Sequence, residues 1–293
     1  MFSGSLVAIV TPMGPDGALD LPAWARLVDF HLANGTDGIV VGGTTGESVS
    51  LNDQELRELT VRACAQARGR AAVLVGAGTS NTVTTAARVA WLSQLPIEAL
   101  LIVTPAYNRP TQEGLFQHFS AAAAAAAGKP LILYNVPGRT AVDMLPQVVG
   151  RLSRVAGIVG IKEAVPEAAR VRALRGSCRG DFLVLSGDDA SAREAIGAGA
   201  RGVISVTANV APRAMKAMVS AALAGDAALA GRLDAALAPL HRELFVEANP
   251  IPVKWLLQQM GLIGPGLRLP LTALAQQYHE TLRAVARSAG VLP

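Results

Sequence analysis

Eight short apolar runs, rich in β-branched residues, recur about every 30 residues along this chain of 293. They are Leu6–Val10, Gly38–Val41, Ala72–Val75, Leu100–Val103, Leu131–Tyr134, Ile158–Lys162, Phe182–Ser186 and Gly202–Val206. Runs this short, apolar on both faces, read as strands of a parallel sheet covered on each side. Between them lie longer stretches with helical spacing. Leu21 to Asn34 has Pro22 in its first turn and Gly35 at its end. Asn52 with Glu55 three residues on forms a capping-box pattern that opens a helix to about Arg68. Further helices are predicted over 80–94, 112–127, 143–154, 166–176, 189–198 and 211–224. Strand followed by helix, eight times over, predicts a (β/α)8 TIM barrel; a doubly wound open sheet is the alternative. After about residue 225 the strands stop, and 226–245, 252–260 and 270–289 read as helices. The predicted organisation is a barrel domain over 1–225 and a C-terminal helical extension over 226–293.

Composition narrows the functions such a barrel can serve. Apolar residues make up 51% and charged residues 16%, enough apolar material for a single large core. The net charge of +4 is spread without a basic block, and aromatics are only 4%, so a nucleic-acid surface is not expected. Cys64 and Cys178 form no CxxC pair and read as free thiols of a reducing compartment. The start, Met1 to Ser5, has no basic n-region, and no uncharged apolar stretch reaches membrane-spanning length. A cytoplasmic protein is expected. The four histidines, His31, His118, His241 and His279, are widely separated, and no carboxylates cluster with metal-ligand spacing, so no metal is expected.

Barrel enzymes build their sites at the C-terminal ends of the strands. Those ends carry Thr11, Gly42-Gly43-Thr44-Thr45-Gly46-Glu47, Gly76, Thr104 to Tyr107, Tyr134-Asn135, Lys162, Ser186-Gly187 and Ile204-Ser205. Lys162 closes the apolar run Ile158-Val159-Gly160-Ile161. Its neighbour Glu163 points to the opposite face of the strand and is a poor partner for it. Burial disfavours an ammonium, and a neutral amine is a nucleophile that forms Schiff bases with carbonyl substrates. Alone, such a lysine could equally snorkel to water. Tyr134, at the end of the preceding strand, places a phenol beside that amine, where it can shuttle protons or simply pack on the rim. Gly42–Glu47 lacks the GK[ST] ending of a Walker motif, and Gly76-Ala77-Gly78 lacks the third glycine of a dinucleotide fingerprint. The former offers backbone N–H groups and two hydroxyls suited to a small carboxylate, although an ordinary βα turn has the same form. Arg139, on the fifth βα loop, suits a second carboxylate, or a helix end.

Taken together, Gly43-Thr44-Thr45-Gly46-Glu47-Ser48, Tyr134-Asn135-Val136-Pro137-Gly138-Arg139-Thr140 and Gly160-Ile161-Lys162-Glu163 resemble the 4-hydroxy-tetrahydrodipicolinate synthase (dihydrodipicolinate synthase) family. So do Leu185 to Asp189, Gly202 to Val206 and Asn249-Pro250-Ile251-Pro252-Val253-Lys254. The family lies within the pyruvate-dependent class I aldolases. The resemblance implies that pyruvate condenses with L-aspartate 4-semialdehyde in the diaminopimelate route of lysine biosynthesis, with no cofactor. It implies Lys162 as the Schiff-base residue and Tyr134 as proton donor and acceptor. Thr44 would link Tyr134 to Tyr107 of a neighbouring subunit in a homotetramer built from two tight dimers. Thr45, the Ile204 backbone and Gly187 would hold pyruvate, and Arg139 the semialdehyde carboxylate. Lysine-sensitive members carry a tyrosine where Ala106 stands, and typically two histidines and a glutamate at the positions of Asp53, Leu56 and Thr85, so lysine inhibition is expected to be weak or absent. N-acetylneuraminate lyase and 2-keto-3-deoxy-sugar-acid aldolases share the lysine and tyrosine. A non-catalytic carboxylate-binding barrel is the alternative outside enzymes.

Overall fold

In a computed structural model describing residues 2–293, the eight runs pair in chain order into a closed parallel barrel, β1-β2-β3-β4-β5-β6-β7-β8. The strands are β1 (Gly4–Ala8), β2 (Gly38–Val41), β3 (Ala72–Gly76), β4 (Ala99–Val103), β5 (Leu131–Asn135), β6 (Ile158–Glu163), β7 (Leu183–Ser186) and β8 (Gly202–Ser205). Closure is made by β1 on β8, where Gly4 pairs Gly202 and Leu6 pairs Ile204. An outer layer carries α1 (Leu21–Ala33), α2 (Asp53–Ala67), α3 (Thr82–Leu92), α4 (Gln112–Ala125), the one-turn α5 (Pro137–Thr140) and α6 (Pro146–Leu152). It continues through α7 (Ala168–Ser177), α8 (Ala192–Gly197) and α9 (Pro212–Leu223). Beyond the barrel come α10 (Ala227–Glu243), α11 (Ile251–Gln259) and α12 (His279–Ser288).

Strand alternation divides the core in two. Leu6, Ala8, Val40, Leu74, Leu101, Ile132, Leu185 and Ile204 fill the barrel interior. Val7, Ile39, Val41, Val73, Val75, Leu100, Leu133 and Ile161 face the helices, against Trp24, Leu27, Leu59, Phe119 and others. The barrel is therefore packed solid beneath its rim, and chemistry is confined to the rim. The predicted capping box is present: the Asn52 side chain accepts from the Glu55 N–H at 2.9 Å, and Glu55 accepts from the Asn52 N–H at 3.0 Å.

Three local expectations are corrected. The first strand begins and ends two residues earlier, because Val10 leaves the ladder and donates its N–H to Asn209 Oδ1 at 3.1 Å. Helix α6 is shorter than 143–154: the Met144 N–H bonds Asn135 Oδ1 and the Leu145 N–H bonds Gln112 Oε1, which holds 141–145 out of helix. The predicted helix over 270–289 is α12 alone, preceded by a single 3-10 turn at Gln276–Tyr278. The stretch before it is held by tertiary bonds instead. Arg268 reaches Glu55, Ser50 and Gly17, and Ala275 donates to Glu247.

Candidate active site

One irregularity in the barrel decides where Lys162 points. In β6 the register against β5 slips by one residue: Leu131 pairs Ile158, but Ile132 pairs Gly160. Ile158 and Ile161, three apart, consequently both face the helices, whereas strict alternation would separate them. After the slip, Tyr134 pairs Lys162 and Asn135 pairs Glu163. Gly160 permits this, since a Cβ there would stand 2.7 Å from Leu183 Cβ. Tyr134 and Lys162 thus both turn into the barrel mouth, and Glu163 turns away from it, as the alternation of β6 required.

Lys162 is buried, with 5% of its surface exposed, and its Nζ lies 4.4 Å from the centroid of the Tyr134 ring. Among the described residues it has no anionic partner. Gly187 gives it room: a Cβ at that position would sit 3.0 Å from Lys162 Cε and 3.1 Å from Cγ. The Gly187 N–H is tied to Glu163 O at 2.7 Å, which fixes the β7 rim against β6. Behind the strand, Glu163 accepts from Asn135 Nδ2 at 3.0 Å, the Val165 N–H at 2.9 Å and Arg170 Nε at 3.1 Å. Arg170 also pairs with Asp143. Burial pushes the Glu163 carboxyl up, and its hydrogen bonds and Arg170 oppose the shift.

The remaining expected residues fall in four places. Thr44 and Tyr134 line one small cavity of about 30 Å³, together with Gly43, Ser48 and Arg88. Thr44, Arg139, Asn249 and Arg268 line a larger cavity of about 300 Å³ at the mouth. Ile204 packs its side chain into the barrel interior, where its backbone pairs with Leu6. Tyr107 lines neither cavity; it is 95% exposed and has φ +74°, a left-handed conformation unusual for a bulky residue.

Sequence reasoning gave no individual role to several groups that shape this rim. Lys254, on α11, is buried and donates to Glu47 Oε1 at 2.5 Å and to Thr11 O at 2.9 Å. Burial lowers its affinity for a proton, and Glu47 opposes that shift. Glu47 itself has φ +56° and takes a second bond from the Arg268 N–H at 3.2 Å. Asn249 donates from Nδ2 to Thr45 Oγ1 at 2.9 Å, and its carbonyl accepts from Arg139 at 3.1 Å. The signal for Lys254 was on the page: in Ile251-Pro252-Val253-Lys254-Trp255-Leu256-Leu257 the lysine has no polar face to occupy.

Among the described residues no group of three His, Cys, Asp or Glu side chains could hold a metal ion. Also among them, no helix is long and apolar enough to cross a membrane.

A closed parallel barrel whose C-terminal rim holds a buried lysine beside a tyrosine carries the groups that Schiff-base aldolase chemistry needs. Residues 1–289 match the Dihydrodipicolinate synthetase family, and the chain belongs to that family. It is 52% identical over 292 residues to the 4-hydroxy-tetrahydrodipicolinate synthase of Methylococcus capsulatus, and 53% identical over 292 to that of Alkalilimnicola ehrlichii, with all of each chain covered. The fold superposes with TM-score 0.97, at 46% identity and full coverage of both chains, on the chloride-inhibited dihydrodipicolinate synthase of Acinetobacter baumannii complexed with pyruvate.

Proposed function

We propose that Lys162 is the nucleophile of this chain's synthase reaction, with Tyr134, Thr44 and Tyr107 moving its protons. The chain is a lyase-type synthase of lysine biosynthesis; it condenses pyruvate with L-aspartate 4-semialdehyde in the diaminopimelate route. The observation that carries the assignment of Lys162 is its burial against the Tyr134 ring with no anionic partner among the described residues. Lysines are rarely buried without a partner, so this placement at the rim supports a chemical role.

The Lys162 amine attacks the C2 carbonyl of pyruvate, and Tyr134 supplies the proton that turns the departing hydroxyl into water. The resulting protonated imine withdraws electrons from C3. A C3 proton leaves, and the enamine carbon forms a bond to the aldehyde carbon of the semialdehyde, whose oxygen takes up a proton. The substrate's own amine then adds to the imine carbon, expels Lys162 and closes the ring. Thr45 and the Ile204 backbone hold the pyruvate carboxylate, Gly187 leaves room for pyruvate beside Lys162, and Arg139 holds the semialdehyde carboxylate in the 300 Å³ mouth cavity. No step requires a cofactor.

Tyr107 enters from a neighbouring subunit of a homotetramer; its exposure and left-handed backbone support a side chain presented outward, away from its own site. The enzyme works in the cytoplasm.

Borohydride reduction in the presence of pyruvate tests the assignment. Mass spectrometry with peptide mapping is expected to find the reduced pyruvate adduct on Lys162, and an unmodified Lys162 refutes it.

A further inference from the structure

Two carboxylate-holding residues converge on Asn249. Its backbone carbonyl accepts from Arg139 at 3.1 Å, and its side-chain Nδ2 donates to Thr45 Oγ1 at 2.9 Å. The residue is buried, and its Oδ1 has no donor among the described residues. The reverse amide orientation would leave a buried N–H₂ unsatisfied at Oδ1's place, and orphaned donors are rarer than orphaned acceptors.

A hydroxyl has one hydrogen and two lone pairs. Because an amide nitrogen can only donate, Thr45 Oγ1 must accept from Asn249, and its hydrogen is directed elsewhere. Among the described residues no protein acceptor takes that hydrogen. A carboxylate can only accept, so the hydroxyl beside it must donate. We infer that Asn249 is a positioning residue for pyruvate, acting through Thr45: its amide fixes the Thr45 hydroxyl as a donor aimed at the substrate carboxylate. The inference rests on the reading of Thr45 as a pyruvate contact. It separates two functions of one residue, since the side chain serves pyruvate and the backbone serves Arg139.

That separation gives the test. Asn249→Ala removes the amide and keeps the carbonyl. The KM for pyruvate is expected to rise about 10-fold, near the value of one hydrogen bond to a charged group. The KM for the semialdehyde is expected to stay within about twofold, and kcat to change less than the pyruvate KM. In a Thr45→Val background the same substitution is expected to add nothing further, because the residue through which it acts is gone. Asn249→Asp, isosteric but only an acceptor at that position, is expected to draw the Thr45 hydrogen to itself and raise the pyruvate KM at least as far. Equal rises in both KM values, or additive effects with Thr45→Val, would show that Asn249 merely braces the rim and would overturn the inference. Borohydride trapping at saturating pyruvate accompanies each variant. A Lys162 adduct in the unsubstituted enzyme with KM values that fail the pattern refutes Asn249's role alone. Absence of that adduct overturns the Lys162 assignment, and this proposal with it.

Discussion

Among the described residues two lysines are buried, at 5% and 3% exposure, and they are treated in opposite ways. Lys254 is matched with Glu47 and with the Thr11 carbonyl, so its donors find acceptors. Lys162 faces a tyrosine ring and a glycine, with no anionic partner among the described residues. The two lie at the same end of one barrel. Burial alone therefore does not distinguish the two lysines; the presence of a partner does. The carboxylate nearest in sequence to Lys162 is turned to the far side of its strand and engaged by Arg170 and Asn135, which keeps it from quenching the amine.

Removing each lysine should expose that difference, and the largest effect is at Lys162. Lys162→Ala is expected to lower kcat by roughly 10⁴-fold or more, as loss of a covalent nucleophile does, while the unfolding temperature holds. Near-normal turnover would end the assignment. Lys254→Met should do the reverse and act first on stability. It strands a buried carboxylate, at a cost of about 3–5 kcal/mol, or roughly 10 °C in unfolding temperature. Adding Glu47→Gln should recover at least about 1 kcal/mol, since the stranded charge is then gone. A double variant no more stable than the single one would mean the pair is not what holds the rim.

His31 extends the contrast to a group that meets burial by giving up its proton. It is fully buried against Thr36, and desolvation lowers it from 6.5 to about 3. Below pH 6.5 the unfolded chain binds a proton that the folded chain does not, so this residue's contribution is complete above that pH and is lost on acidification. Between pH 7.5 and 5.5 the loss is about 1.4 kcal/mol. Urea unfolding of the protein and of His31→Gln at both pH values should differ by that amount, and parallel acid profiles would count against it. The smallest effect is expected for an ammonium from outside. Added lysine needs a free carboxylate, yet Asp53 is paired with Arg88 at 2.7 Å, Leu56 is apolar, and the Thr85 hydroxyl is bonded to Thr79. Initial rates at saturating pyruvate should be unchanged by millimolar lysine; strong inhibition would show a binding mode these residues do not account for.

The barrel was legible because its signal is local and repeated: each apolar run and each helical stretch could be read within its own window. That Lys162 and Tyr134 lie side by side at the barrel mouth was legible because both close their strands. What escaped had causes at a distance. The slip in β6 depends on how Gly160 meets Leu183 on the next strand. It happens to leave Lys162 facing inward, which alternation counted from Val159 would have denied it. Glu47 was read as part of a possible anion cradle, and its real bond is to a residue on α11. The first half of the helix over 270–289 failed where the Ala275 N–H goes to Glu247 and not to its own turn.

The bond between Glu47 and Lys254 spans 207 positions, and that between Thr45 and Asn249 spans 204. During synthesis, all eight strands leave the ribosome before either downstream partner does. Until then the nascent barrel carries an unneutralised carboxylate at its mouth and a threonine hydroxyl with no fixed direction. A shortened chain ending near residue 225 would keep all eight strands, with Lys162 and Tyr134, and lack the partners that engage Glu47 and Thr45.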